Sequence, residues 1–307
     1  MPAKRIAAVL LLCGSAAALA QVPPDIAEQT RAAGQTMDPA SGQGYAALFP
    51  PSAWEGVDIQ RDLAYGTDPL HTLDVYTMRG AGTNRPVLLF VHGGGFTRGD
   101  KDGAFHPDNI PLWAAKEGLV GITINYRLAP ANPRPAGAQD LAAAIAWARA
   151  NAERFGGDPD RNFLLGHTAG GNHVADYVGN PSVQGPELAS VKGAALLSPN
   201  YFAAPGSEAH AYYGVDWDLN SRAGTVRRLT ESGVPVFLAD AEFDPDDMLH
   251  TAEALRSGLC ATPARCPRYV HLKDHNHFTE GMALGTSDRS LADPLVQWME
   301  RLVGPWR

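Results

Sequence analysis

Short apolar runs, each followed by a helix-like stretch, constrain this chain more than any other feature. Residues 86–92 (PVLLFVH) are almost unbroken in apolar character and run straight into three glycines. A strand buried on one face alternates apolar and polar side chains. A continuous run therefore describes a strand covered on both faces, the condition of a parallel sheet. The same reading applies to residues 120–125, 163–165, 194–197, 234–239 and 268–272. Helical stretches fall between and after them, at 112–117, 139–153, 169–178, 249–259 and 291–303. Strands alternating with helices predict an α/β fold with a mostly parallel central sheet flanked by helices. Residues 73–76 (LDVY) alternate instead, as an antiparallel strand at the sheet edge does.

Composition agrees with such a core. The 307 residues are 45% hydrophobic and 19% charged, with 32 Gly and 24 Pro, which excludes a coiled coil and a disordered chain. With 25 basic against 33 acidic residues the net charge is −8, so the basic footprint of a nucleic-acid binder is missing. Lys4 and Arg5 precede an apolar run that ends at Ala18-Leu19-Ala20, a small-x-small cleavage site. Residues 1–20 therefore predict a signal peptide. The run is shorter than the roughly 20 residues a membrane span needs. A periplasmic or secreted protein with no membrane attachment in its mature form is expected. Residues 21–60 read as an N-terminal arm on the surface, and 61–307 as one domain. Cys13 leaves with the leader, and Cys260 and Cys266 remain as an even pair that an oxidising compartment favours as a disulfide. Two cysteines without a second ligand pair do not make a zinc site, so no metal or cofactor is expected.

Three segments carry chemistry. His92-Gly93-Gly94-Gly95-Phe96 follows a buried strand, where successive glycines can expose backbone N–H groups to an anion. Gly166-His167-Thr168-Ala169-Gly170 lies between the strand at 163–165 and the helix at 169–178. That is the strand–turn–helix setting of the G-x-S-x-G nucleophile motif, with threonine where serine is expected. An acid and a base follow at later strand ends. Asp240, Asp244, Asp246 and Asp247 compete for the first role, and His275 and His277 for the second. The order nucleophile, acid, histidine is that of the α/β-hydrolases.

These segments, with Asn125-Tyr126-Arg127-Leu128-Ala129-Pro130, Gly156-Gly157-Asp158-Pro159, Glu242-Phe243-Asp244-Pro245 and His275-Asn276-His277-Phe278, resemble the HGGG-type α/β-hydrolase carboxylesterases. The likeness is to their hormone-sensitive-lipase-like and feruloyl-esterase-like groups, from about residue 60 to 305. The resemblance implies Thr168, Asp244 and His277 as catalytic residues. It implies Gly94, Gly95 and Ala169 as oxyanion donors, with Asp140 and residues 125–130 as supports. It also implies a reaction through an acyl-enzyme.

Residues 198–232 form an insert read as a small partial cap, holding Tyr201, Phe202, Tyr212, Tyr213 and Trp217. Aromatics there can line an acyl or aryl pocket. Phe96, His167, Phe278, Tyr213 and Trp217 are the expected substrate-binding residues, and the expected partner is a small, soluble ester. The sequence specifies no oligomeric state. Threonine keeps the hydroxyl, but its methyl stiffens χ1 in a crowded turn. Two other readings therefore stand beside the esterase: an α/β-hydrolase that binds an ester-like ligand without turning it over, and an aryl formamidase or lactonase.

Overall fold

The computed structural model describes residues 22–102, 108–199, 208–214 and 222–306. Residues 1–20, read as a signal peptide, and Tyr201, Phe202 and Trp217 lie outside the described residues. Eight strands form one sheet in the order β1-β2-β4-β3-β5-β6-β7-β8. They are β1 (Val57–Ala64), β2 (Thr72–Met78), β3 (Arg85–Val91), β4 (Val120–Ile124), β5 (Gly157–His167), β6 (Val191–Leu197), β7 (Val236–Phe243) and β8 (Arg268–Asn276). β1 pairs antiparallel with β2 and β2 antiparallel with β4; every other neighbouring pair is parallel. The helices are α1 (Pro24–Ala33), α2 (Asn109–Lys116), α3 (Ala136–Asn151), α4 (Ala169–Gly179), α5 (Glu208–Tyr213), α6 (Arg222–Ser232), α7 (Asp246–Cys260), α8 (Thr279–Met282) and α9 (Ala292–Val303).

Both faces of the sheet are covered, which accounts for the unbroken apolar runs. Val87, Leu89 and Val91 of β3 pack with Leu141, Ile145, Val174, Val178 and Leu255 of α3, α4 and α7. Leu88 and Phe90 point the other way, into a cluster with Trp113 of α2 and Leu295, Val296 and Met299 of α9. Because β3 and β5 to β8 run parallel, their C-terminal ends share one edge of the sheet, where open α/β sheets place their ligands.

The structure departs from the sequence reading in three places. β1 starts inside the segment read as an arm. It is an exposed edge strand, and its pairing with β2 is irregular between Gln60 and Leu63, so no clean alternation announces it. β5 reaches back to Gly157 and takes in the residues read as a turn, although its register with β6 shifts between Asn162 and Phe163. Residues 222–232 of the expected cap are α6, which packs between α4 and α7 and buries Leu229 in the main core. That part of the insert is scaffold.

The arm is more than a surface wrap. α1 and a 3₁₀ helix (Pro39–Leu48) pack along β8 and α8, and Ile26 and Tyr45 join Met282 and Ala283 in a small core. Ser41 Oγ accepts from Asn276 Nδ2 at 3.0 Å, and Tyr45 donates to Asp288 at 3.0 Å. The arm thus holds the segment after β8 from its outer side.

Cys260, the last residue of α7, is bonded to Cys266 across a six-residue separation. Closing so short a loop removes little unfolded-state entropy, about 2 kcal/mol in the chain-entropy account. A reductant is therefore expected to lower Tm by a few degrees without unfolding the chain at room temperature. Thermal denaturation with and without dithiothreitol measures this, and an unchanged Tm counts against a stabilising bridge. Among the described residues no helix is long and apolar enough to cross a membrane.

Candidate active site

β5 ends at His167 and α4 begins at Ala169, which leaves Thr168 alone to make the turn. Its backbone sits at φ 48°, ψ −117°, a strained position for a β-branched residue and one that costs on the order of 1–3 kcal/mol. Its amide donates to the Leu197 carbonyl at 2.9 Å, and its own carbonyl accepts from Asn172 N at 3.2 Å. Gly170 lies so close to the Val91 carbonyl that any side chain there would strike backbone. This packing seats the start of α4 on the end of β3.

The glycine loop after β3 faces this turn. A Cβ on Gly93 would collide with the Thr168 methyl, so the threonine is accommodated where residue 93 is glycine. Gly94 and Gly95 have φ values of 117° and 60°, which aim successive amides differently from a strand. Tyr126 holds the loop by donating to the His92 carbonyl at 2.9 Å. Asp140 in turn fixes the segment of Tyr126, accepting from Arg127 N at 2.7 Å and from the Arg127 guanidinium at 2.6 Å.

Four acids and two histidines were open in the sequence, and their partners separate them. Asp244, fully buried in the turn after β7, accepts from His277 Nδ1 at 2.9 Å through Oδ1. Its Oδ2 accepts from Ser198 Oγ at 2.5 Å and from Ala241 N at 2.7 Å. Burial pushes this carboxyl up, but the hydrogen bonds from His277, Ser198 and Ala241 outweigh it and hold it below the ordinary range. Asp240 is engaged elsewhere, by Tyr269 at 2.8 Å and His271 at 2.6 Å. Asp246 accepts from Gln35 of the arm, and the Asp247 carbonyl accepts from Thr251 in the first turn of α7. His275 is buried against Asp288 and Ser290, each at 3.1 Å. Asp244 and His277 are thus brought together beside the turn of Thr168.

His277 Nε2 is buried and makes no hydrogen bond among the described residues. The Thr168 hydroxyl is therefore not engaged with the nitrogen that would take its proton. His167 spans the gap in another way: its Nε2 donates to the His277 carbonyl at 2.8 Å, and the two rings lie 4.7 Å apart. Burial lowers the His167 pKa, so it works as a neutral donor.

The expected substrate-binding residues divide. Phe96 is buried and stacks on Tyr212 at 4.7 Å, with Tyr213 edge-on at 5.2 Å and Ala169 in the same cluster. Tyr213 Oη accepts from Asn172 Nδ2 at 2.8 Å. α5 therefore sets an aromatic wall beside Ala169, the first residue of α4. Phe278 meets His277 edge-on at 5.3 Å and packs on the small core of the arm. Sequence reading missed Ser198 and Glu280, and it named Tyr212 among the insert aromatics without placing it in the expected substrate-binding set. Ser198 and Glu280 had positional signals: one directly follows β6 and the other stands three residues after His277.

Two groups bring three metal-binding side chains within 4.8 Å of one another. Asp74, Asp102 and Asp108 all pair with Arg61, and Lys101 also pairs with Asp74 and Asp102. In the group His167, His277 and Glu280, His167 Nε2 and His277 Nδ1 are already committed as donors.

Residues 73–184 match the family model described as BD-FAE. The chain is 40% identical to Esterase LipC of Mycobacterium tuberculosis over 123 residues, 39% of this chain and 29% of that protein. It is 30% identical to the versiconal hemiacetal acetate esterase of Dothistroma septosporum over 179 residues, 56% of this chain and 52% of that protein. The matches to LipC and to the carboxylesterase NlhH of M. tuberculosis span under a third of either protein. Among solved structures, a truncated carbohydrate esterase from gut microbiota superposes with a TM-score of 0.67 at 16% identity, covering 87% of this chain and 99% of that one. The Pyrobaculum calidifontis esterase superposes at 0.62 and 19% identity, covering 92% of this chain and 100% of that one.

Proposed function

We propose that this chain, an α/β-hydrolase by fold, is a carboxylic ester hydrolase that works through an acyl-enzyme on small, soluble short-chain acyl or aryl esters. The observation that carries the reading is the buried Asp244–His277 pair at 2.9 Å, set beside a strained strand–turn–helix nucleophile position and facing the glycine loop. In this reaction Thr168 Oγ1 attacks the ester carbonyl and passes its proton to His277 Nε2. Asp244 keeps the imidazole Nδ1–H oriented and stabilises the imidazolium. The amides of Gly94, Gly95 and Ala169 receive the charge that develops on the carbonyl oxygen. His277 returns the proton to the leaving alcohol, and water then releases the acyl group by the same steps.

The aromatic wall of Phe96, Tyr212 and Tyr213 supports a compact acyl or aryl group as the specific ligand. A leader with Lys4 and Arg5 ahead of an apolar run, together with the Cys260–Cys266 bond, supports a periplasmic or secreted location. Nothing in this mechanism uses a metal. Hydrolysis of short p-nitrophenyl esters is expected to continue unchanged in EDTA, and a loss restored by zinc would overturn the scheme. A panel on which neither this chain nor Thr168→Ser shows turnover would overturn the ester-hydrolase reading itself. A second reading, ligand binding without turnover, is favoured by one observation: His277 Nε2 has no hydrogen bond from Thr168.

A further inference from the structure

Glu280 is a buried acid near the site that this mechanism leaves unused. It sits in α8, three residues past His277, with no solvent exposure. Neither carboxyl oxygen makes a well-formed hydrogen bond among the described residues, and Oε1 lies 3.1 Å from His167 Nε2. That nitrogen already donates to the His277 carbonyl at 2.8 Å. α8 packs against the 3₁₀ helix, β8 and α2, and the groups that act most strongly on Glu280 come from the neighbouring strands and the turns that follow them. They are His167 at the end of β5, Ser198 after β6, Asp240 in β7, Asp244 in the turn beyond it, and His277. Two of these are acids, and none of them is a lysine or arginine.

We propose that Glu280 is a positioning residue: an uncharged carboxylic acid that closes the underside of the site with His167 and Ser198 and leaves Asp244 as the single anion behind His277. The role rests on reading Asp244 and His277 as acid and base. An anion at 280 would place a second negative charge beside Asp244 in surroundings that cannot hydrate it, and the basic group 3.1 Å away, His167, is itself kept from charging by burial. Burial first, and then the charge of Asp244, push the Glu280 carboxyl far above the usual range, and the smaller pull of His277 and Ser198 does not reverse this. As a neutral group it fills the space beneath the His167–His277 contact, which ties the residue before Thr168 to the loop of the base.

Linkage gives a test that needs no turnover. Above about pH 4.3 the unfolded chain releases the Glu280 proton while the folded chain keeps it, so the parent loses stability as pH rises. Glutamine carries no such penalty. Glu280→Gln is therefore expected to raise Tm, with an advantage that widens from about pH 5 to about pH 8. A parent more stable than Glu280→Gln at the upper end, or a difference flat with pH, would overturn the proposal. Should that variant fail to fold, selective ¹³C labelling of glutamate side-chain carboxyls in the parent decides: one resonance stays protonated through neutral pH, and none doing so is the contrary result. Turnover supplies the positioning readout, measured in Thr168→Ser. Glu280→Ala is expected to lower kcat about 10-fold or more with little change in KM, and Glu280→Gln to recover most of that loss. Equal losses in both, or no loss in Glu280→Ala, would refute the role. Absence of any turnover in parent and Thr168→Ser would sink the ester-hydrolase reading, while the thermal comparison would still decide the state of Glu280.

Discussion

Thr168→Ser is expected to raise kcat toward a short p-nitrophenyl ester by about 10²-fold, with KM nearly unchanged. The threonine methyl lies against Gly93 of the glycine loop, and the backbone beneath it is fixed at φ 48°. A β-branched side chain so enclosed has little freedom at χ1, and its hydroxyl makes no hydrogen bond to His277 Nε2. Serine lacks the methyl, turns freely, and can reach the unpaired nitrogen. KM should hold because the wall of Phe96, Tyr212 and Tyr213 is untouched. Thr168→Ala is expected to retain only what oxyanion stabilisation and binding provide, roughly 10³–10⁴ over water in comparable sites. The three proteins should be compared on one ester under one set of conditions. If the parent equals Thr168→Ser and Thr168→Ala is silent, the methyl is part of a working nucleophile and the argument from His277 Nε2 is wrong.

The sheet was legible because burial on both faces writes itself as unbroken runs, as at 86–92 and 120–124. β1 was illegible for the opposite reason: an exposed edge strand with a bulge needs no apolar pattern. α6 was hidden by its place behind an aromatic-rich stretch, although Leu229 is buried in the main core. In the site, chain order and strand ends narrowed the acid and base to a few neighbours. Only partners in space separate His277 on Asp244 from His275 on Asp288. Ser198, Glu280 and the support from the arm act through contacts between segments far apart in the chain. Asn276 with Ser41 is an example, and no local pattern encodes such a contact.

In the Thr168→Ser background, Asp244→Asn is expected to lower kcat by about 10⁴-fold with the fold retained. The reason lies in the two sides of the carboxylate. Oδ2 accepts from Ser198 Oγ and Ala241 N, so an amide oxygen will take that side. The amide NH₂ is then turned toward His277 Nδ1, which must accept instead of donate. The imidazole proton moves to Nε2, where it blocks uptake of the nucleophile's proton. Asp240→Asn, which disturbs only the contacts with Tyr269 and His271, is expected to leave kcat near that of the background. A comparable loss from Asp240→Asn would reassign the acid. Stability gives a second readout with its sign fixed. The Asp244 carboxyl is held below its ordinary range in the folded chain, so its contribution is present above the unfolded value of about 3.9 and is lost as pH falls below it. The Tm deficit of Asp244→Asn should therefore be largest near neutrality and shrink in acid. A deficit that grows in acid would mean that Asp244 is held protonated, which no orienter of an imidazolium can be.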